Sequence, residues 1–405
     1  MSLTILKSLL PLLTLLPCAT PGRGQTATLT WQAVPHDTTP PDTAYAKGVS
    51  ASYAALAGQT LLMAGGCNFP HTPAAEGGKK VYYDGIYALS AARPAAPRRV
   101  GSLPEAAAYG VSLPAGEDGM LCIGGQSASG PLHSVLLLQL CEGGEKVTVR
   151  NLPPLPAPID NMGGALLGRR VYIVGGNVGG KPSNAMYSLH LDSLAAGWRE
   201  EPSYLGPPRV QPVVVALRCG GETCLYVFGG FSSPTGQQPV VSTTSLRYSP
   251  SRHSWTEAAA PTDEAGHPLT LTGGAGYAID DTTALCLGGV NHNIFLAAIQ
   301  RERRLAEATA RGDEAEAGRL REAGRAYLRQ PAEAYRFNEL ALRYSSASDR
   351  WTILGRHPQA ARAGATMAGC GNAFFYIGGE LKPGIRTPEI WHVKGKVSAK
   401  PKSGE

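Results

Sequence analysis

The stretch "FFYIGGELKPGIRTPEIW", Phe374 to Trp391, places four core-type residues before a glycine doublet and then releases a Glu, a Lys, a Pro-Gly pair and an Arg. Its opening recurs five more times: LLMAGG ending at Gly66, MLCIGG at Gly125, VYIVGG at Gly176, LYVFGG at Gly230 and ALCLGG at Gly289. With the last copy at Gly379, the doublets follow one another after 59, 51, 54, 59 and 90 residues. A period near fifty is that of kelch repeats, each one a four-stranded blade.

The other strands of a blade flank each doublet. Before it runs a small-residue strand (YGVSL from Tyr109, MGGALL from Met162, GGAGYAI from Gly273). After it come an aromatic-bearing strand (GIYAL from Gly85, AMYSLHL from Ala185, LALRYS from Leu340) and one opening on Trp198, Trp255 or Trp351. The expectation is an all-β chain, a six-bladed kelch-type β-propeller over residues 28–395. The last repeat ends one strand short, after EIWHV, while TLTWQAVP at residues 28–35 resembles the Trp-led outer strand DRWTILG. The N-terminal strand is therefore expected to complete the last blade, which removes the open edges a broken ring would present.

The 90-residue interval contains residues 295–337, rich in Ala, Arg and Glu. This predicts a helical insertion in blade five, two helices broken near Gly312-Asp313. It reads as a lid, as a contact that would make a homodimer, or as a solvated hairpin, the usual meaning of such a charge pattern.

Composition agrees with many short strands: 50 Gly and 32 Pro in 405 residues, with 43% apolar content. A net charge of +6, from 37 basic and 31 acidic residues without a basic face or a known module, argues against a nucleic-acid partner. Residues 1–24 read as a secretory signal peptide, with Lys7 ahead of a short apolar run. A periplasmic protein is expected, with no membrane span in the mature chain; LLPC at Cys18 makes a poor lipid-anchor box because Pro17 precedes the Cys. Residues 396–405 read as a disordered tail. Of the seven cysteines beyond the leader, Cys219 and Cys224 flank a Gly-Gly turn and could bridge a hairpin, whereas Cys122 and Cys286 read as buried small hydrophobes. No pair has CxxC spacing, so no structural zinc is expected.

A propeller hosts binding modules and enzymes alike, so function must come from its loops. The segments after the doublets begin CNFPHTP at Cys67, QSASG at Gln126, NVGGKPSN at Asn177, FSSPTGQQ at Phe231, VNHNIF at Val290 and ELKPGIR at Glu380. Most are polar and uncharged, and the sixth concentrates the charges, the composition of a pocket for a polyhydroxy ligand with one acid and one fixed cation. On spacing alone Glu380 and Arg386 read equally as solvated loop charges. Asn68, Asn177 and Asn291 are candidates to bond sugar hydroxyls, with loop capping as the plain alternative. Arg209 and Arg362, just before inner strands, could reach the axis or tie blades together. Tyr109 reads as a packing residue, and His292 as a lesser acid-base candidate.

GGVNHNIF with the insertion behind it, RFNELALRYSSASDRW, IGGELKPGIRT, and AYGVSLPAGEDGMLCIGG followed by KVTVRNLP together resemble the bacterial N-acetylneuraminate epimerases, the sialic acid mutarotases. The order of segments resembles a cyclically permuted branch, since KVTVRNLP runs here into APIDNMGGALLGRRVYIVGG; a ring tolerates permutation because its ends lie side by side. The resemblance implies an isomerase that interconverts the α and β anomers of N-acetylneuraminate without metal or cofactor. Glu380 would be its acid-base carboxylate, and Arg386 would hold the substrate carboxylate. Where related sequences read GRAYGVSL this chain has AAAYGVSL, with Ala107 in place of the Arg, a change that implies altered affinity or another sugar acid. The competing readings are a propeller that binds a glycan or protein without turnover and, last, a copper oxidase, for which the histidines are too scattered.

Overall fold

The computed structural model describes residues 28–35 and 44–396; residues 1–24, read as a signal peptide, with Cys18 among them, and residues 397–405 lie outside the described residues. Six four-stranded antiparallel sheets account for most of it. Blade one is built from Tyr53–Ala57, Thr60–Ala64, Gly85–Ser90 and Arg98–Ser102, and blade two from Val111–Pro114, Gly119–Gln126, Pro131–Cys141 and Lys146–Asn151. Blade three comprises Gly163–Leu167, Arg170–Val174, Met186–His190 and Arg199–Glu201; blade four, Val213–Cys219, Glu222–Phe228, Ser245–Ser249 and Ser254–Ala258. Blade five is Gly274–Asp280, Thr283–Gly288, Leu340–Ser345 and Arg350–Arg356. In blade six Thr366–Cys370, Ala373–Ile377 and Ile390–Lys396 are joined by the N-terminal strand Thr28–Ala33, which pairs antiparallel with Ile390–Lys396 from Thr28↔Lys396 to Ala33↔Trp391.

The second strand of each blade explains the apolar hexamers. Phe374 and Tyr376 pack with Leu285 and Leu287 of blade five, while Phe375 and Ile377 pack with Leu61 and Met63 of blade one. Alternate side chains thus enter cores on opposite sides of one sheet, so a strand of period two reads as a continuous apolar run. Such a core separates every adjacent pair of blades. Cys122 and Cys286 lie within them, and burial pushes both thiols above their ordinary range.

The doublets mark where one blade touches the next. Gly378 has φ +55°, and a Cβ there would stand 2.3 Å from the Val49 carbonyl oxygen; Gly379 donates its N–H to that same oxygen at 2.9 Å. Gly65 stands in the same way against the carbonyl of Ala107. Only a residue without a side chain permits both the left-handed turn and the approach.

Closure around the axis is made by the backbone. One residue just before each inner strand, Ala51, Tyr109, Asn161, Gln211, Gly273 or Gly364, is left-handed, with φ between 54° and 67°. Each donates its N–H to the carbonyl of its counterpart in the preceding blade: Tyr109 to Ala51 at 2.9 Å, Asn161 to Tyr109 at 2.8 Å, Gln211 to Asn161 at 2.7 Å and Gly273 to Gln211 at 3.0 Å. Gly364 to Gly273 and Ala51 to Gly364, both 2.7 Å, complete the circle. A left-handed non-glycine costs about 1–2 kcal/mol. Four positions carry that cost, and the closed ring of hydrogen bonds offsets it.

The insertion in blade five forms two antiparallel helices, α1 (His292–Ala310) and α2 (Glu314–Leu328), followed by a short 3-10 turn at Ala332–Tyr335. Asp313 caps α2, accepting from the Glu316 N–H, and Ala308, Ala317 and Leu320 form a small core between the helices. Helix α1 starts three residues earlier than the sequence suggested because Asn291 is its N-cap. Cys219 and Cys224 are free thiols; Cys219 Sγ instead accepts from Arg247 Nη1 at 3.1 Å. They lie diagonally across the hairpin, Cys219 opposite Glu222 and Cys224 opposite Leu217.

Candidate active site

Next to each left-handed residue, the chain entering the inner strand meets the chain leaving the doublet. Ser50 pairs with Cys67, Ala108 with Gln126, Asp160 with Asn177, Val210 with Phe231 and Ala363 with Glu380, and Val290 donates to Thr272. These are equivalent places around one opening, and among the six that follow the doublets only Glu380 carries an acid.

Glu380 and Arg386 face each other across the two short strands Glu380–Lys382 and Ile385–Arg386. The turn through Pro383-Gly384 brings Arg386 Nη1 to 2.5 Å from Glu380 Oε1, which also accepts the Gly384 N–H at 2.8 Å. Arg386 Nε donates to Ser50 Oγ at 3.0 Å, and the guanidinium lies 5.1 Å from the centre of the Phe69 ring. The Arg386 side chain is 3% exposed and that of Glu380 24%, so the cation is fixed in the wall while the acid reaches solvent. Burial works against the charge of Arg386, but Glu380 and the neighbouring Tyr109 and Cys67 outweigh it and hold the guanidinium above its ordinary range. The Tyr109 phenol is pushed well up, first by burial and then by Cys67. Its hydroxyl accepts from Lys80 Nζ at 3.0 Å.

The acid's loop rests on the insertion. Lys382 Nζ donates to the carbonyls of Gln330 at 2.6 Å and Leu328 at 3.4 Å, the C-terminal end of α2, where a cation also suits the helix dipole. On its other side Gly384 touches Ala74 of the blade-one loop so closely that a Cβ would stand 2.6 Å from the alanine's.

Four residues expected to bind substrate are engaged in the fold. Asn68, 2% exposed, donates to the Ala44 and Gly48 carbonyls and accepts from Tyr83. Asn291 Oδ1 accepts the Ile294 N–H as the cap of α1, and His292 beside it bonds Asn293 at the exposed start of that helix. Arg209 Nη1 donates to the carbonyls of Gly229 and Thr244, and its Nη2 to Thr244 Oγ1. Arg362 donates to Gly378 O and the Glu389 carboxylate. These two arginines occupy the same place in blades four and six, two residues before the left-handed one, and pin their own doublets. Ala107 holds that place in blade two, 4% exposed within an interblade core. Its departure from related sequences therefore concerns blade packing, not the ligand. Asn177 keeps its place at the opening, with Nδ2 donating to Asp160 Oδ1 at 2.7 Å. Sequence reasoning missed Asp160 and Ser50. Aligning the dipeptides just before the six inner strands, rather than the doublets, would have set both in the pocket layer.

A buried cation paired with an accessible carboxylate beside the axis of a propeller is an arrangement that can hold an anion and move a proton. The family model for N-acetylneuraminate epimerase matches residues 152–401, more than half of the chain, and the chain belongs to that family. It is similar to the N-acetylneuraminate epimerase of Haemophilus influenzae strain PittEE, 34% identical over 248 residues, 61% of this chain and 60% of the relative. The similarly named proteins of Salmonella arizonae and Brucella melitensis are 32% and 28% identical, covering 57% and 58% of their own lengths. The chain thus spans about 60% of the length of the curated relatives it matches. Among solved structures, "Structure of YjhT" aligns with a TM-score of 0.49 at 27% identity, over 63% of this chain and 69% of that one.

Proposed function

We propose that the protein interconverts the α and β anomers of N-acetylneuraminate, with Glu380 transferring the protons and Arg386 holding the substrate carboxylate. The observation that carries this reading is the Glu380–Arg386 pair itself, a buried guanidinium 2.5 Å from a carboxylate that reaches the opening. The family supplies the substrate class.

A 2-keto sugar acid closes as a cyclic hemiketal. Opening the ring removes the proton of the anomeric hydroxyl, breaks the bond between the anomeric carbon and the ring oxygen, and places a proton on that oxygen; the hydroxyl becomes the ketone. Rotation about the adjacent carbon–carbon bond presents the other face, and the reverse transfers close the ring. One carboxylate serves both directions, as general base and then as conjugate acid. Arg386 can donate its remaining N–H groups to the substrate carboxylate as a bidentate pair, which would fix the anomeric carbon beside Glu380. The signal-type sequence at residues 1–24 supports export to the periplasm, where free sialic acid would be met.

The test is proton NMR of freshly dissolved α-N-acetylneuraminate, following the approach to anomeric equilibrium with wild type and Glu380→Gln. Wild type should accelerate it, and the variant should lose about a hundredfold or more of that rate, the contribution of a positioned acid-base group. A variant as fast as wild type would remove Glu380 from the mechanism.

A further inference from the structure

Four polar side chains sit together on the ring at blades three and four, whereas the left-handed positions of blades five, six and one hold Gly273, Gly364 and Ala51. Asp160, 4% exposed, organises the polar side. Its Oδ1 accepts from Asn161 Nδ2 at 2.5 Å and from Asn177 Nδ2 at 2.7 Å; Asn161 Oδ1 in turn accepts from Gln211 Nε2 at 2.8 Å. A carboxylate has no proton to give, so both asparagines must turn their nitrogens to it, and the chain fixes Gln211 as well. The network leaves Asp160 Oδ2, Asn177 Oδ1 and Gln211 Oε1, all acceptors, without a hydrogen-bond partner among the described residues.

The place of this array follows from the equivalence of the blades. Asp160 occupies the position of Ser50, which bonds Arg386, and Asn177 the position of Glu380. Blade three stands opposite blade six in a ring of six, so the acceptors face the acid–arginine pair across the axis.

We propose that Asp160, Asn177 and Gln211 form the specificity wall of the pocket, taking hydrogen-bond donors at the end of the ligand remote from its carboxylate. The ligand class is an anionic sugar acid whose far end carries O–H and amide N–H groups, an extended polyol chain or an acylamino substituent. This rests on the mutarotase reading and adds which residues measure the substrate's length. Asp160 is here a positioning and binding residue that takes no part in the proton transfers.

The experiment compares wild type and Asp160→Asn on N-acetylneuraminate and on a shorter 2-keto-3-deoxy sugar acid without the acylamino group and terminal polyol. Removing the carboxylate frees the amides to flip and replaces acceptors by donors. For the full-length acid KM should rise about tenfold or more, as when a site built for a hydrogen bond loses its partner, with kcat nearly unchanged. For the short acid the two proteins should agree. Equal losses on both acids, or a fall in kcat at constant KM, would overturn the proposal. If Asp160→Asn does not fold, Gln211→Met removes one acceptor without disturbing the carboxylate and should show the same selective KM effect. If wild type accelerates neither acid, the mutarotase reading fails by itself, and saturation-transfer NMR then decides the wall. Selective loss of full-length binding in the variant upholds it, and unchanged binding overturns it.

Discussion

Replacing Tyr53 by Phe tests how the blades are held at their glycine doublets. The Tyr53 hydroxyl, on the inner strand of blade one, donates to Gly124 O of blade two at 2.5 Å. Blades four and six meet the same need with arginines, Arg209 on Gly229 O at 2.8 Å and Arg362 on Gly378 O at 3.0 Å. In blade two the arginine's position is Ala107, and beside it lies a cavity of about 100 Å³ lined in part by Tyr53, Gly124 and Ser134. Ser134 is the counterpart of Thr244, which receives Arg209 on its carbonyl and hydroxyl. Tyr53→Phe leaves the Gly124 carbonyl without its donor in a buried place and should cost about 1–3 kcal/mol. Adding Ala107→Arg brings a guanidinium to Gly124 O and Ser134 and should restore most of that loss. Thermal and urea unfolding of the four proteins in this cycle gives the coupling directly. Coupling of about 1 kcal/mol or more is expected, with Ala107→Arg helping the Phe variant more than wild type. Additive effects, or a Tyr53→Phe variant as stable as wild type, would refute the equivalence of the tyrosine and the arginines.

Lys382→Met removes the ammonium that ties the acid's loop to α2 and should lower kcat several-fold with little change in folding stability, because Glu380 loses its support rather than its partner; unchanged kcat would make the contact incidental. Stability should also fall on mild acidification. His357 Nδ1 accepts from Trp31 Nε1 of the closing strand at 3.0 Å, and burial holds His357 below its ordinary value of 6.5. The unfolded chain therefore takes up the proton first: the contribution is complete above pH 6.5 and declines as the pH falls through and below it. Melts between pH 8 and pH 5 should show this slope, and His357→Gln should flatten it; an unchanged slope in the variant would assign it elsewhere.

The fold was legible because each blade repeats one physical solution. A second strand buried on both sides must be apolar throughout, and it must end in residues that tolerate φ values such as +55° and +100° at Gly378 and Gly379 beside a neighbour's backbone. Those constraints leave a visible hexamer. The helical hairpin was equally plain, since its Ala, Glu and Arg content has no place in strands. The site was only partly legible. Glu380 and Arg386 stood out because charges are rare after the doublets, but Asn68, Asn291, Arg209 and Arg362 show that a polar residue next to an axis can be consumed by the frame. Asn68 uses both ends of its amide on the chain around it, and Asn291 caps a helix. No single-chain pattern distinguishes such a side chain from one that waits for a ligand. Asp160 was hidden for the converse reason: its role depends on two neighbours, Asn161 and Asn177, that come together only when the blade closes.

The pairing of Glu380 with Arg386 raises a question that its geometry answers. Glu380 Oε1 takes both the Arg386 guanidinium and the Gly384 N–H, which leaves the arginine engaged before any ligand arrives. Arg386, however, spends Nε on Ser50 and one N–H of Nη1 on Glu380, with Tyr109 beside it, so the other N–H of Nη1 and those of Nη2 are the fork that these two bonds leave. A substrate carboxylate arriving at that fork competes with Glu380 for the same positive charge while Ser50 keeps the guanidinium in place. Under the proposed function the pair would loosen when the anion binds, and Glu380 would then stand beside the anomeric carbon.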